Sequence, residues 1–362
     1  MNASAIVLLG KRDEPTDAVE EYCEFLGKAL CARGIELELV RVPWPERGWQ
    51  AALSELRRRA AGWRGKWVLA QYTALAWSVR GFPLRFIRVM KMLHEAGARL
   101  GVVFHDVEPY SGERAVDQVR RRAQLHTMQR ALHYADLAVF TVALSAVSWL
   151  HDSPSKAIFI PVGANLPPVS PALSESVARK VGRLCVAVFG ITGGAAGRRE
   201  ATQVVEAVRF AAMKMGELRL HAFGRHANDC EAQLREGLRD TPVQVDVEGV
   251  LPRERVVEAL TAADVMLFVR APISSRRGSA IAGIACGLPV IAYGGSDTAA
   301  PVTDAGVVLV DKEKQAALGE ALVRVLEDSG YRDALAKRSQ AVQARYFAWD
   351  AIAARYAEAL SK

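Results

Sequence analysis

The fold of this chain is decided by Val265–Phe268 and the following residues 270–292, RAPISSRRGSAIAGIACGLPVIA. The pattern predicts a buried strand, a basic loop, a short helix that ends at Gly287-Leu-Pro, and a second buried strand. The loop carries Arg276 and Arg277, and Ser279 is predicted as the helix N-cap, with free backbone N–H groups after it. Cations beside a helix N-terminus favour an anionic ligand such as a diphosphate.

The composition is that of a water-soluble α/β protein with more than one core. A chain of 362 residues exceeds the size at which one hydrophobic core keeps growing, so two domains are expected. No apolar run approaches the ~20 residues that span a bilayer, and no signal peptide is evident, so we expect a cytoplasmic protein. The five cysteines are scattered and form no C-x-x-C pair, which argues against a disulfide framework or a zinc site.

Apolar strands alternate with amphipathic helices along the chain, as in parallel sheets with helices packed on their faces. The first series of predicted strands is 5–9, 36–42, 67–71, 100–104, 137–140 and 157–161, and the second is 184–189, 218–223, 244–248, 265–268, 290–293 and 307–310. The proline-rich residues 163–171 are predicted to join the two. The domains are therefore predicted as 1–166, completed by a C-terminal helix at 347–362, and 172–346.

Glycine and arginine follow several strands of the second series. The sequence GITGGAAGRR at 190–199 reads as a flexible loop with Gly193 inside it and Arg198 and Arg199 at a helix start, and Arg225 lies in the turn after 218–223. The loop matches neither the G-x-G-x-x-G fingerprint nor a P-loop, which argues against hydride transfer and NTP hydrolysis. Arginines at several neighbouring strand ends favour a phosphate-binding site.

These residues resemble a known family. Ala263-Asp264 before a strand, the segment ACGLPVIA at 285–292, Ala135-Asp136, and IPVGAN at 160–165 are similar to the corresponding motifs of GT-B glycosyltransferases of the large retaining group. The resemblance implies an α/β fold with two Rossmann-like doubly wound parallel-sheet domains facing a cleft. It also implies transfer of a sugar from a nucleotide diphosphate donor, without a cofactor, and a terminal helix that returns to the N-terminal domain.

The resemblance also implies roles for single residues. Arg199, with Arg198 beside it, matches the family's cation on the donor diphosphate. His105 matches a histidine that lies beside the transferred sugar, although a capping or buried structural histidine is the alternative. Gly10 is similar to a glycine under the donor phosphates or the acceptor, and Lys11 stands where the family has a second glycine.

One departure from the family concerns two glutamates separated by seven residues. Counted back from Cys286, those positions are Ser274 and Ala282, and neither is a carboxylate. The intervening residues resemble a divergent branch with an arginine-bearing loop, so the predicted donor-binding residues here are Ser275, Arg276, Arg277, Gly278 and Ser279. We expect Arg276 and Arg277 to stabilise the leaving diphosphate.

The expected mechanism is retaining and needs no metal, because arginines and helix N-termini can supply the charge that Mg²⁺ supplies elsewhere. In the retaining group the departing phosphate oxygen takes the acceptor's proton. If the enzyme inverts, His105 or Asp106 is the candidate base. Two other classes stay open: a nucleotide-sugar epimerase using carboxylates such as Asp13, Asp17 and Asp106, and a catalytically silent protein of the same fold, which the absent glutamates favour.

The partners expected from these features are a nucleotide-sugar donor and a saccharide or lipid-linked acceptor. The net charge of +7 is concentrated at 57–59, at 120–122, and at Arg85, Arg88 and Lys91. These are solvated helix faces or, alternatively, sites of peripheral association with the inner face of a membrane. Nucleic acid is not expected, because no basic groove with interleaved aromatic residues is evident.

Overall fold

The computed structural model describes residues 3–151, 154–170, 182–314 and 316–362. The chain divides into two compact units, Met1–Val162 with Trp349–Lys362, and Gly163–Ala348, which are called the first and second unit below. Each unit contains one six-stranded sheet. All strand pairs are parallel, which confirms the predicted α/β class.

The first unit has the strand order β2-β1-β3-β4-β5-β6. Its elements are β1 (Ala3–Leu9), α1 (Ala18–Cys31), β2 (Ile35–Arg41), α2 (Trp44–Ala60), β3 (Trp67–Tyr72), α3 (Leu84–Glu95), β4 (Arg99–Phe104), α4 (Ala115–Tyr134), β5 (Leu137–Phe140) and β6 (Ala157–Phe159). Strands β3 and β5 are buried along their whole length, as expected for central strands with both faces covered. Successive strands are added towards one edge of the sheet from β1 to β2 and towards the other edge from β3 onwards, so the switch point lies between β1 and β3.

The second unit has the order β12-β11-β10-β7-β8-β9. Its elements are β7 (Leu184–Phe189), α5 (Gly194–Met215), β8 (Leu218–Phe223), α6 (Glu231–Gly237), β9 (Val243–Val247), α7 (Arg253–Thr261), β10 (Val265–Phe268), α8 (Gly278–Ala285), β11 (Val290–Tyr293), β12 (Val307–Val310), α9 (Ala317–Glu327) and α10 (Ser329–Val342). Successive strands are added towards one edge of the sheet from β7 to β9 and towards the other edge from β10 to β12, so the switch point lies between β7 and β10. Ligands collect at such a switch point, outside the carboxyl ends of the strands.

A last helix, α11 (Trp349–Ser361), belongs to the first unit and packs on α1. The Trp349 ring stacks on Phe25 at 5.5 Å and lies 5.3 Å from Tyr22. The buried hydroxyls of Tyr22 and Tyr356 are 2.9 Å apart and bond to each other. Burial is the main reason that the pKa of each tyrosine is raised, so both hydroxyls stay protonated.

The strands agree with the sequence predictions to within two residues, but one helix does not. Helix α5 begins at Gly194, so Arg198 and Arg199, which were predicted at the helix start, lie inside it. None of the helices in the described ranges has both the length and the apolar character of a bilayer span. On α3, Phe86, Val89 and Met90 are buried, and the basic side chains Arg85, Arg88 and Lys91 are exposed.

Candidate functional site

At the switch point of the second sheet, an arginine lies against a glycine. Gly190 follows β7 with φ of 78°, and a Cβ added there would lie 3.2 Å from Nη1 of Arg270. Arg270 comes two residues after the end of β10, which pairs with β7. Glycine suits this position for two reasons: its backbone is left-handed, and the guanidinium group lies close to where a side chain would begin.

The surroundings of Arg270 are unfavourable for a cation on its own. The surrounding protein desolvates the guanidinium and lowers the pKa of Arg270; the Glu200 carboxylate opposes this, and the Arg225 charge adds to it. Among the described residues, no carboxylate oxygen lies within ion-pair distance of Arg270. Because the Arg225 charge acts against the Arg270 guanidinium, an anionic ligand placed beside Arg270 would stabilise it.

Glu200 is itself occupied by the local backbone. Its side chain is 5% exposed, and its carboxylate accepts a hydrogen bond of 2.7 Å from the backbone N–H of Thr192. The bond closes the turn between β7 and α5. Glu200 therefore shapes the loop beside Arg270 and leaves the guanidinium available.

The glycines before α5 serve packing, and this corrects the predicted flexible loop. Gly193 is the N-cap of α5, and a Cβ there would lie 3.2 Å from the ring of His226. A Cβ at Gly197 would lie 1.8 Å from the carbonyl oxygen of Thr192. The first turn of α5 thus folds closely onto the loop. Arg198 and Arg199 follow that turn, and their side chains are exposed.

The arginine-bearing loop after β10 is tied to the loop after β11. Arg276 donates from Nε to the Asp297 carboxylate at 3.0 Å, with 21% and 11% of the two side chains exposed. Thr298 donates from Oγ1 to the carbonyl oxygen of Ile273 at 2.5 Å. The loop is therefore held before any ligand arrives, and Arg276 already has a carboxylate partner.

The predicted N-cap at Ser279 is wrong. Helix α8 begins at Gly278 with Arg277 at the N-cap, and Ser279 is inside its first turn. The backbone N–H of Arg277 bonds to the carbonyl oxygen of Ser274 at 3.0 Å, and this turn places the helix start two residues earlier than side-chain preference suggests. Ser275 is 4% exposed, while Arg276 and Arg277 are partly exposed.

The two positions that lack the family's glutamates are both inside the second unit's core. Ser274 is 0% exposed and Ala282 is 2% exposed. The Ser274 hydroxyl has no hydrogen-bond partner among the described residues. A carboxylate could not be accommodated at either position without a rearrangement of the loop or of α8.

In the first unit, a glycine also lies at the switch point. A Cβ at Gly10, directly after β1, would lie 2.3 Å from the carbonyl oxygen of Ala76 in the loop after β3. That oxygen accepts hydrogen bonds from the backbone N–H of Lys11 at 2.7 Å and from Nε1 of Trp44 at 2.9 Å. The close approach of the two loops forms one wall of a cavity of about 350 Å³.

The polar lining of this cavity comes from the carboxyl ends of neighbouring strands and from the start of α1. It includes Gly10, Lys11, Asp17, Gln71, Thr73 and Asp106. Asp17 caps α1, accepting from the backbone N–H groups of Val19 and Glu20 at 3.1 Å. Arg41 lies 3.4 Å from the same carboxylate. Asp106 accepts from the backbone N–H of Ala74 at 2.7 Å. The cavity offers several hydrogen-bonding groups to a polar ligand.

His105 follows β4 and does not line that cavity. Its Nε2 lies 2.9 Å from Oε1 of Gln71, and its ring meets Tyr22 edge-on at 5.1 Å. Burial lowers the pKa of His105 to about 4, and the Asp17 carboxylate acts in the opposite sense. The imidazole is therefore neutral at physiological pH.

The structure thus places the predicted residues in two groups, one in each unit. Gly10, Lys11 and Asp106 line the first unit's cavity, with His105 near it, whereas Gly193, Arg225 and the loop from Ser275 to Ser279 lie after strands of the second sheet. Sequence reasoning missed Arg270 and Gln71. Arg270 had a visible signal, because a charged residue closely follows a fully apolar strand, as Arg225 does after β8. No group of three or more metal-ligating side chains occurs within the described residues.

Part of the second unit matches a known family. Residues 187–328 match the family described as Glycosyl transferases group 1. No curated protein matches the chain by sequence.

The whole chain is similar in fold to several solved structures. HepE of Anabaena in complex with UDP-glucose has 15% sequence identity, with 99% of each chain covered and a TM-score of 0.68. WaaG, a glycosyltransferase involved in lipopolysaccharide biosynthesis, has 16% identity, with 99% of each chain covered and a TM-score of 0.67. Sucrose-phosphate synthase from Thermosynechococcus elongatus has 17% identity, with 98% of each chain covered and a TM-score of 0.65.

Proposed function

We propose that this chain, a glycosyltransferase of the GT-B fold whose residues 187–328 match the group 1 family, transfers a sugar from a nucleoside diphosphate donor to an acceptor hydroxyl. The observation that carries the proposal is Arg270, which lies against Gly190 and close to Arg225 at the switch point of the second sheet. A diphosphate would relieve the repulsion between the two guanidinium groups and accept hydrogen bonds from both.

The same arrangement supports the bond-breaking step. Cleavage of the sugar–phosphate bond leaves additional negative charge on the departing diphosphate, and fixed cations stabilise that charge without reorganising. The N-terminus of α5 begins at Gly194, directly after the loop that holds Gly190, and it contributes backbone N–H groups and a positive dipole end. We therefore propose a reaction that needs no metal ion.

We propose retention of configuration, on the family resemblance. The departing phosphate oxygen then accepts the proton of the acceptor hydroxyl, and no side-chain base takes part. The alternative, inversion, would use His105 or Asp106 as base. Asp106 already accepts a backbone hydrogen bond from Ala74, and His105 is neutral but weakly basic, so neither is favoured for that role.

For the acceptor, we propose the cavity of the first unit. Its volume of about 350 Å³ and its mixture of carboxylate, amide and hydroxyl groups suit a saccharide. The apolar side chains of Leu75 and Val79 line it too, and they are 63% and 66% exposed, which is compatible with a lipid attached to that saccharide. The basic face of α3 (Arg85, Arg88 and Lys91) would then favour contact with an anionic membrane surface.

The direct test is incubation of the purified protein with UDP-, GDP-, ADP- and dTDP-sugars, with release of nucleoside diphosphate as the readout. Arg270→Ala should weaken binding of the active donor about 10- to 150-fold, which corresponds to the roughly 1.5–3 kcal/mol of a charge-assisted hydrogen bond. Arg255→Ala is the matched control, because the Arg255 side chain is 59% exposed and forms an ion pair with Glu258. Equal donor affinity of Arg270→Ala and wild type would refute the placement of the diphosphate.

The second candidate function is a catalytically silent binder. It is favoured by Ser274 and Ala282, which stand at the positions of the family's paired glutamates. In the same assay, transfer or hydrolysis supports the transferase, and interconversion of the donor sugar would reveal an epimerase. Thermal stabilisation by a nucleotide sugar without turnover would identify the silent binder.

A further inference from the structure

We infer that Gln71 is a positioning residue that holds His105 in the Nε2–H tautomer, leaving Nδ1 as a hydrogen-bond acceptor. The two side chains come from the ends of paired strands, since Tyr72 is in register with Phe104. The backbone N–H of His105 bonds to the carbonyl oxygen of Tyr72 at 3.0 Å, which continues the ladder beyond β4. The inference deepens the proposed function and rests on it only for the effects on activity.

The orientation of the Gln71 amide follows from its second contact. Its Nε2 donates to the carbonyl oxygen of Leu69 at 3.3 Å, and its Oε1 faces His105. Reversing the amide would bring two oxygen acceptors together at Leu69 and leave that bond unmade. Because an amide oxygen can only accept, the imidazole nitrogen 2.9 Å away must carry a hydrogen. The direction of donation is therefore fixed from His105 to Gln71 and from Gln71 to Leu69.

The remaining surroundings of His105 hold the ring in place without supplying a second hydrogen-bond partner. Tyr22 of α1 meets it edge-on with an interplanar angle of 83°, and the Tyr22 hydroxyl is already bonded to Tyr356. Gln71 is 2% exposed, so little of its side chain is open to water that could compete with the histidine. Within the described residues, the side-chain hydrogen bond of His105 goes to Gln71 through Nε2, and Nδ1 stays an acceptor.

The identity of the partner also determines the charge of His105. A carboxylate at position 71 would stabilise the imidazolium, as in many acid–base pairs, whereas a neutral amide does not. The charged groups nearby are Asp17 at the start of α1, whose carboxylate raises the pKa, and the neighbouring Asp106. Burial outweighs Asp17, and the pKa of His105 falls to about 4. A histidine held in this state accepts a hydrogen bond at neutral pH and is a poor general base.

The test is Gln71→Glu, read first by NMR. The resonance of His105, one of seven histidines, is assigned by its loss in His105→Gln. In the wild type, the ¹⁵N shifts should show the Nε2–H tautomer, and an Nδ1–H pattern would overturn the inference. In Gln71→Glu the pKa of His105 should rise by about 1–3 units, because an opposite charge now lies within hydrogen-bonding distance. An unchanged pKa would equally overturn it.

Activity provides the second readout. Gln71→Glu should lose donor turnover at low pH and recover it as the pH rises through the new pKa of His105, giving an ascending limb that the wild type lacks over the same range. Gln71→Met keeps the size of the side chain but removes the acceptor, so a second tautomer should appear in its NMR spectrum, with lowered activity at every pH. Gln118→Glu, on the exposed face of α4, adds the same charge elsewhere and should leave the pKa of His105 unchanged.

The two readouts separate the two proposals. If no nucleotide sugar is turned over, the proposed function fails, and the tautomer and pKa of His105 still decide the role of Gln71. If Gln71→Glu loses activity to the same degree at every pH while the pKa of His105 stays low, Gln71 has a structural role only and the inference is refuted.

Discussion

Replacing Gly10 by alanine should destabilise the first unit, because the methyl group has no room. The added Cβ would lie 2.3 Å from the carbonyl oxygen of Ala76, which is backbone and cannot turn away as a side chain could. Forcing the two loops apart costs about 1–3 kcal/mol for overpacking. It also strains the hydrogen bonds that this oxygen accepts from Lys11 and Trp44, each worth about 0.5–1.5 kcal/mol.

The expected loss is therefore about 2–6 kcal/mol, which at a slope of roughly 2 kcal/mol/M lowers the urea midpoint by about 1–3 M. Tryptophan fluorescence isolates the first unit, because all seven tryptophans of the chain belong to it: Trp44, Trp49, Trp63, Trp67, Trp77, Trp149 and Trp349. The matched control is Gly27→Ala in α1, where the Cβ would lie 3.6 Å from Leu37 and is accommodated.

Gly27→Ala should stabilise the same unit by about 0.5–1 kcal/mol, because alanine is the better helix former and restricts the unfolded chain more. The opposite signs of the two substitutions are the critical result. If Gly10→Ala left the urea midpoint unchanged or raised it, the close contact between Gly10 and Ala76 would be refuted, and with it the wall of the cavity.

Two further outcomes concern the stability of the first unit, measured by the same fluorescence. The pKa of His105 is lowered from its ordinary 6.5 to about 4, so between these pH values the unfolded chain takes up a proton that the folded chain does not. The stability present above pH 6.5 should therefore fall by about 3 kcal/mol as the pH drops towards 4. His105→Gln should show a correspondingly flatter pH dependence of stability, and identical slopes would contradict a buried neutral imidazole. Tyr22→Phe or Tyr356→Phe should each cost about 1–3 kcal/mol, since the remaining buried hydroxyl loses its partner. The double substitution should cost less than the sum of the two, and simple additivity would argue against the hydroxyl pair.

Strands were predictable because their signal is local. The run Val265–Phe268 is apolar throughout and lies between Asp264 and Arg270. In a chain of alternating strands and helices, such a run is typical of a buried strand. The turn at Gly287, with φ of 76° directly after α8, is equally local.

The contacts of the candidate site were not predictable, because they depend on strand order. Gly190 and Arg270 are 80 positions apart in the numbering and become neighbours only because β7 pairs with β10. The sequence pattern also assigned Gly197 to a flexible loop, whereas the residue is glycine because α5 packs on a carbonyl oxygen 1.8 Å from where its Cβ would be. Composition shows that glycine is present but not which neighbour excludes a side chain.

Helix α11 has a consequence for the order in which the chain can fold during synthesis. The second unit ends at Ala348, whereas the first unit needs Trp349 and the residues after it to cover Tyr22 and Phe25 of α1. During synthesis, the second unit therefore has all of its residues before the first unit does. The first unit, although its synthesis begins earlier, is complete only after helix α11 has been made. A stop codon near position 349 would thus leave the arginines of the second unit in a complete unit and expose an aromatic surface on the first, which chaperones and proteases recognise.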